Sequence, residues 1–190
     1  MNILIAHSAR SNVPLVERRH IQLIRRQFAL DWYGIHGAPH WARVYQNGLR
    51  LADATGANAR VVALFAFFHD SCRLDDRVDP GHGARAARFV RAVAGREFNL
   101  SASELELLVL ACEQHSEGRV QGDVTVLTCW DADRLDLGRV GQRPDPRRLC
   151  TAAARDPGLI EWACRRACAR RQHPPYDEAG SFEDDAAASD

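Results

Sequence analysis

Eight consecutive apolar residues, Val61 to Phe68, run straight into the dipeptide His69-Asp70. A helix that is apolar on every side has to be surrounded by other elements. This segment, predicted as a helix from about Asn58 to Ser71, is therefore the central buried element of the fold. The apolar run is far too short to span a bilayer. An ionisable pair at the end of such a helix is costly to bury unless something binds it, and a metal ion is a good candidate. The plain alternative is that the helix ends there and the pair meets solvent. With eight His and sixteen Asp in 190 residues, a His-Asp dipeptide arises roughly 0.7 times by chance, so its context has to carry the argument.

The rest of the chain is also helical in period, and no alternating strand stands out. One helix is predicted near Val16 to Trp32. Another runs from Pro39, which suits a first helical position, to Thr55, and Gly56 ends it. His40, Val44, Asn47 and Leu51 lie on one face of that helix. A fourth helix is expected to begin with Asp79 as cap and Pro80 at its first position, with an inner stripe of Ala86, Phe89, Val90 and Val93. Ser101 and Glu104 form a capping box for a fifth, lined by Leu105, Leu108 and Cys112. A sixth starts near Asp123 and carries Trp130 to Asp136. Beyond the break at Arg143-Pro144-Asp145-Pro146 come one or two shorter helices, the last capped by Asp156 with Pro157 behind it. The expected class is all-α, with six to eight helices. Residues 1–20 read as an N-terminal lead-in, 21–172 as the helical domain, and 173–190 as an acidic, disordered tail.

Composition excludes more than it selects. Net charge is zero, which argues against a nucleic-acid or membrane partner. The chain contains no Lys, so a Walker A loop and Schiff-base chemistry are ruled out. The six cysteines at 72, 112, 129, 150, 164 and 168 form no CxxC pair. They are expected to be buried free thiols in a reducing, cytoplasmic setting. The opening Met1 to Ala6 is too short, and lacks the basic start, for a signal peptide.

Around His69-Asp70 lies a scattered set of metal-ligand residue types: His40, His82, His115 and Asp133. Each sits at or near a predicted helix end, and the ends of packed helices can converge on one pocket. Any one of these histidines alone is more often a surface or hydrogen-bonded core residue. Taken together, their order carries a resemblance. His40, then His69-Asp70, then Asp133 resembles the HD superfamily of metal-dependent phosphohydrolases. His40-Trp41-Ala42-Arg43-Val44 is similar to that family's first motif, and Phe68-His69-Asp70 to its second. Ala132-Asp133-Arg134-Leu135 is similar to the Ala-Asp-Arg-Leu segment of the alarmone hydrolases. The resemblance covers about Gly34 to Gly141. His82 and His115 resemble the extra histidines of binuclear members, among them dinucleoside tetraphosphate hydrolases and mixed-valent di-iron oxygenases.

The resemblance implies an HD-like orthogonal helical bundle around a buried metal site. It implies that His40, His69 and Asp133 hold one ion, that His82 and His115 hold another, and that Asp70 bridges them. Asp70 and Asp133 would then be the catalytic carboxylates. A mononuclear site, with His82 and His115 as neighbouring contacts, stays open. Mixed His and carboxylate ligands suit Mn, Fe, Ni or Zn better than Ca. The expected function is hydrolysis of a phosphoester or phosphoanhydride in a nucleotide or another small phosphorylated metabolite, by metal-activated hydroxide. Arg43 and Arg73 could each grip phosphate as a fork. His36 would sit at the pocket mouth, and one of Asp75, Asp76 and Asp79, with Asp76 favoured, could steer water or bind substrate. Asp131 and Asp136 could orient ligands or pair with Arg134. His7, His20 and His173 are expected to be incidental. A di-iron oxygenase on the same ligands and a non-catalytic nucleotide-binding regulatory module are the alternatives. The lead-in packs on the domain or joins a homodimer, and the sequence leaves both open.

Overall fold

The apolar helix is the hub of the molecule. In the computed structural model, which describes residues 16–168, seven α-helices follow in chain order: α1 (Arg18–Gln27), α2 (Ala38–Thr55), α3 (Ala59–Phe68), α4 (His82–Val93), α5 (Ala102–Gln114), α6 (Val124–Arg134) and α7 (Pro157–Cys168). Tight 3₁₀ turns cover Leu135–Val140 and Pro146–Arg148. Among the described residues there is no β-strand, so the class is all-α. No described helix is long and apolar enough to cross a membrane. The first fifteen residues with His7, and the stretch from 169 onward with His173 and the acidic tail, lie outside the described residues.

Every residue from Val61 to Phe68 is fully buried. Helix α3 touches α2, α5 and α6 on its sides and α1 more lightly, which is what an all-round apolar surface requires. Fully burying each large side chain here contributes about 1.5–3 kcal/mol relative to leaving it exposed. Asn58 starts the helix by accepting the backbone N–H groups of Arg60 and Val61. Upstream, Gly56 ends α2 in the left-handed region (φ 73°) with its N–H on the Ala52 carbonyl. The Ser101–Glu104 capping box opens α5, and the side chains of Asp123 and Asp156 cap α6 and α7.

Two glycines let the helices close in. A Cβ on Gly48 would come within 2.5 Å of Val62, so α2 and α3 meet there more closely than any side chain allows. A Cβ on Gly83 would lie 2.7 Å from the carbonyl oxygens of both Cys112 and Glu113. The start of α4 is thereby seated on the end of α5.

Four local expectations need correction. Helix α1 stops at Gln27 and does not run on to Trp32. Helix α4 begins at His82 with Gly81 as cap, not at Asp79-Pro80. The Asp79 carboxylate instead takes the Leu74 N–H (2.8 Å) and the Arg85 guanidinium, closing the 74–79 loop. Helix α3 ends at Phe68, and His69 to Cys72 form turns. Of the six free cysteines only Cys112 and Cys129 are buried; Cys168 is exposed and the other three lie between.

Candidate metal centre

Each ligand candidate is set by a helix end. His40 lies in the first turn of α2, His69 caps the end of α3, His82 opens α4, His115 caps the end of α5, and Asp133 lies in the last turn of α6. The structure brings all of them, with Asp70, to one place. All four histidines and Asp70 are buried. The ligand atoms of His40, His69 and Asp133 lie within 4.8 Å of one another, and so do those of His69, Asp70 and His115.

The imidazoles share one orientation. His69 presents Nδ1 to the carbonyls of Phe65 (3.2 Å) and Ala66 (3.1 Å), and His115 presents Nδ1 to that of Cys112 (2.8 Å). His82 Nδ1 meets the Asp79 carbonyl. His40 Nδ1 meets Asp136 Oδ2 at 2.7 Å. Each of these partners only accepts, so each Nδ1 carries the proton and donates. In the neutral rings every Nε2 is then a lone pair turned inward.

Those lone pairs face one another. His40 Nε2 and His69 Nε2 are 3.1 Å apart, and His82 Nε2 and His115 Nε2 are 2.8 Å apart. The Asp133 Oδ1 oxygen lies 3.3 Å from His40 Nε2 and 3.8 Å from His69 Nε2. Such a set of electron pairs repels itself unless a proton or a cation lies among them. Ligands about 2.0–2.1 Å from one transition-metal ion lie roughly 3–3.4 Å apart from each other, close to the spacing of His40, His69 and Asp133. The donor set fits a divalent ion.

The two oxygens of Asp70 divide between the histidine pairs. Oδ2 is 3.7 Å from both His40 Nε2 and His69 Nε2. Oδ1 is 3.3 Å from His82 Nε2 and 3.5 Å from His115 Nε2. One carboxylate therefore faces two pairs of imidazoles, one oxygen to each.

Electrostatics follow from this enclosure. Burial holds the His69 imidazole down at about 3, so it is neutral and available as a donor. His82 is also lowered, by burial first and then by His115. Burial alone would raise the Asp70 carboxyl, but His69, cationic only below about 3, and the hydrogen bond and charge of His115 hold it well below the usual range. Asp133 is likewise held down against burial, by its contact with His40 and by His69. His115 goes the other way: burial lowers it, yet the Asp70 carboxylate outweighs burial and raises it.

The residues expected to bind substrate are placed as follows. His36 Nδ1 pairs with Asp76 Oδ1 at 2.8 Å, tying the loop before α2 to the loop after α3, and the His36 ring lies 6.4 Å from that of His40. Arg43 forms a two-pronged pair with Asp136, Nε to Oδ1 at 2.6 Å and Nη2 to Oδ2 at 3.0 Å. Arg73 is turned inward, with Nη1 3.4 Å from Asp70 Oδ1 and 3.3 Å from His82 Nε2.

Asp131 and Asp136, which the sequence left undivided, do different work. Asp136 orients His40. Asp131 accepts from the Cys150 N–H (2.6 Å), the Thr151 N–H (2.8 Å) and the Thr151 hydroxyl (2.8 Å), pinning the segment before α7. Neither pairs with Arg134, which donates to the carbonyls of Arg148 and Arg119. Comparison of the chain with protein-family models, curated proteins and solved structures finds no match.

Proposed function

We propose that this chain is a metal-dependent phosphohydrolase of the HD type, built as an HD-like orthogonal bundle and acting on a nucleotide or another small phosphorylated metabolite. The observation that carries the reading is the division of Asp70 between two inward-facing imidazole pairs. It supports a binuclear centre in which His40, His69 and Asp133 would hold one ion, His82 and His115 would hold the other, and Asp70 would serve both. The order of these residues in the sequence supports the same family.

Divalent ions so placed would supply Lewis acidity, offsetting charge on phosphoryl oxygens and lowering the pKa of water. The chain's own residues do the remaining work. Asp136 fixes the ring plane and tautomer of His40, and Arg43 in turn fixes Asp136. The local carbonyls do the same for the other three rings. The His36–Asp76 pair stands where the loops around α2 and α3 meet and offers a polar contact to an entering substrate.

The test uses anaerobically purified full-length protein. Metal per chain is counted, and phosphate or pyrophosphate release is measured across a panel of nucleotides and small phosphoesters with Mn²⁺ or Fe²⁺ supplied. Release that a chelator abolishes, and that His69→Ala lacks, is the expected result. Metal-replete protein that releases nothing across the panel overturns the hydrolase reading. Two irons per chain with substrate-dependent oxygen uptake would replace it with the oxygenase, and tight nucleotide binding without turnover with the regulatory module.

A further inference from the structure

The position of Arg73 conflicts with the second ion, and the conflict has a functional meaning. Arg73 Nη1 lies 3.4 Å from Asp70 Oδ1 and 3.3 Å from His82 Nε2. A guanidinium only donates. Its N–H groups are thus directed at the lone pair and the carboxylate oxygen that an ion beside His82 and His115 would need. The His82 lone pair cannot turn elsewhere, because Nδ1 of that ring is committed to the Asp79 carbonyl. A guanidinium and a divalent cation also repel each other strongly at such a separation in a buried site.

Nothing comparable happens on the other side of Asp70. The described contacts of Arg73 reach Asp70 Oδ1, His82 and the Asp75 carbonyl (Nε, 3.2 Å), and none reaches His40, His69 or Asp133. The side chain is largely buried and reaches the cluster from the loop after α3 rather than from within a helix.

We infer that Arg73 is a built-in cationic occupant of the second metal position, so that the centre holds one ion with Arg73 inside and two only when Arg73 swings out. This rests on the metal centre proposed above. The released guanidinium then stands beside the centre as a two-pronged donor for an anionic, phosphate-class substrate. The exchange makes the second site weaker than the first by design, and it couples second-ion binding to withdrawal of Arg73. By linkage, any anion that holds Arg73 outside tightens the second ion, and the second ion tightens the anion.

The experiment is equilibrium dialysis of chelator-stripped full-length protein against Zn²⁺, counting ions per chain, for wild type, Arg73→Gln and Arg73→Lys. Wild type is expected to bind one ion tightly and a second at least tenfold more weakly. Arg73→Gln, which removes the cation, is expected to tighten the second site about tenfold or more and leave the first unchanged. Arg73→Lys, which keeps a cation, is expected to stay nearer to wild type. A second reading needs no variant: amide and guanidinium NMR of wild type should show Arg73 Nε–H protected after one equivalent of Zn²⁺ and exchanging faster after two. Second-site affinity equal or weaker in Arg73→Gln, or an Nε–H indifferent to the second equivalent, overturns the gate and leaves the metal centre standing. A protein that binds no Zn²⁺ in any form overturns the metal centre and the gate with it.

Discussion

The contact between α4 and α5 can be tested at a single atom. Gly83 follows His82, and a Cβ there would meet the Cys112 and Glu113 carbonyls at 2.7 Å. That is about 0.7 Å short of ordinary contact. Both oxygens are backbone, so the strain cannot be relieved by a rotamer change. The Cys112 carbonyl is also the group that holds His115 Nδ1. Gly83→Ala therefore has to push the start of α4 off the end of α5 and disturb the pairing of His82 with His115. Overpacking of this kind costs about 1–3 kcal/mol. The better helix propensity of Ala returns up to about 1 kcal/mol, since Gly83 is helical with no positive φ. The middle of the first range less the full return leaves a net destabilisation of about 1 kcal/mol, which lowers Tm by roughly 2–4 °C in a chain of this size. Calorimetry of the chelator-stripped variant measures it directly. Equilibrium dialysis should show the second ion weakened and the first, on His40, His69 and Asp133, retained. A variant as stable as wild type with both ions bound as tightly would refute the claim that Gly83 seats His82 against His115.

Asp136→Asn keeps the shape of the His40 partner but sets an amide against Arg43; it should weaken the first ion about 10–100-fold, with the second ion little changed in the same dialysis. Asp131→Ala strips two backbone N–H groups and the Thr151 hydroxyl of their buried acceptor; it should cost on the order of 3 kcal/mol in urea unfolding while leaving metal stoichiometry at the wild-type value. Chelator-stripped protein should be acid-sensitive. His69 is depressed from 6.5 to about 3, so its contribution is complete above 6.5 and is lost as pH falls toward 3. The depressed Asp70 and Asp133 carboxyls act in the same direction below about 3.8. His115 opposes them weakly, because its raised value favours the folded state at lower pH. A urea midpoint equal at pH 7 and pH 4.5 would refute this balance.

Local signals carried most of the fold. Gly56, the Ser101–Glu104 box and Asp156 act on backbone groups within a few residues, so their roles are legible in the sequence, and Asn58 and Asp123 mark the helix starts they turn out to cap. Asp79 misled because its carboxylate is drawn back to Leu74 N–H and across to Arg85, partners that only the folded loop supplies. His20 reads as incidental in the sequence, yet it is fully buried. Its Nδ1 accepts the Glu17 N–H, and its Nε2 is 3.0 Å from the Glu97 carbonyl, 77 residues away. Nothing near His20 in sequence announces that contact.

The same distinction separates the parts of the site. Helix C-termini leave their last carbonyls without intrahelical partners. A histidine placed there finds an acceptor for Nδ1 three or four residues back, as His69 and His115 do, and its Nε2 is then turned away from its own helix. His82 obtains the same result from Asp79, three residues before it. For these three rings, position at a helix end encodes both the tautomer and the direction of the lone pair. His40 differs: its Nδ1 partner is Asp136, 96 residues away, and Arg43 buttresses that carboxylate from the side of α2. Arg43 and Arg73 look alike in sequence, each an arginine three residues after a ligand candidate. In the structure one supports a ligand candidate from behind and the other stands among the candidates. That difference depends on which carboxylate each guanidinium meets, Asp136 or Asp70. It is fixed by the packing of α2 against the turn after α6 and of the loop after α3 against α4, which helical periodicity alone does not specify.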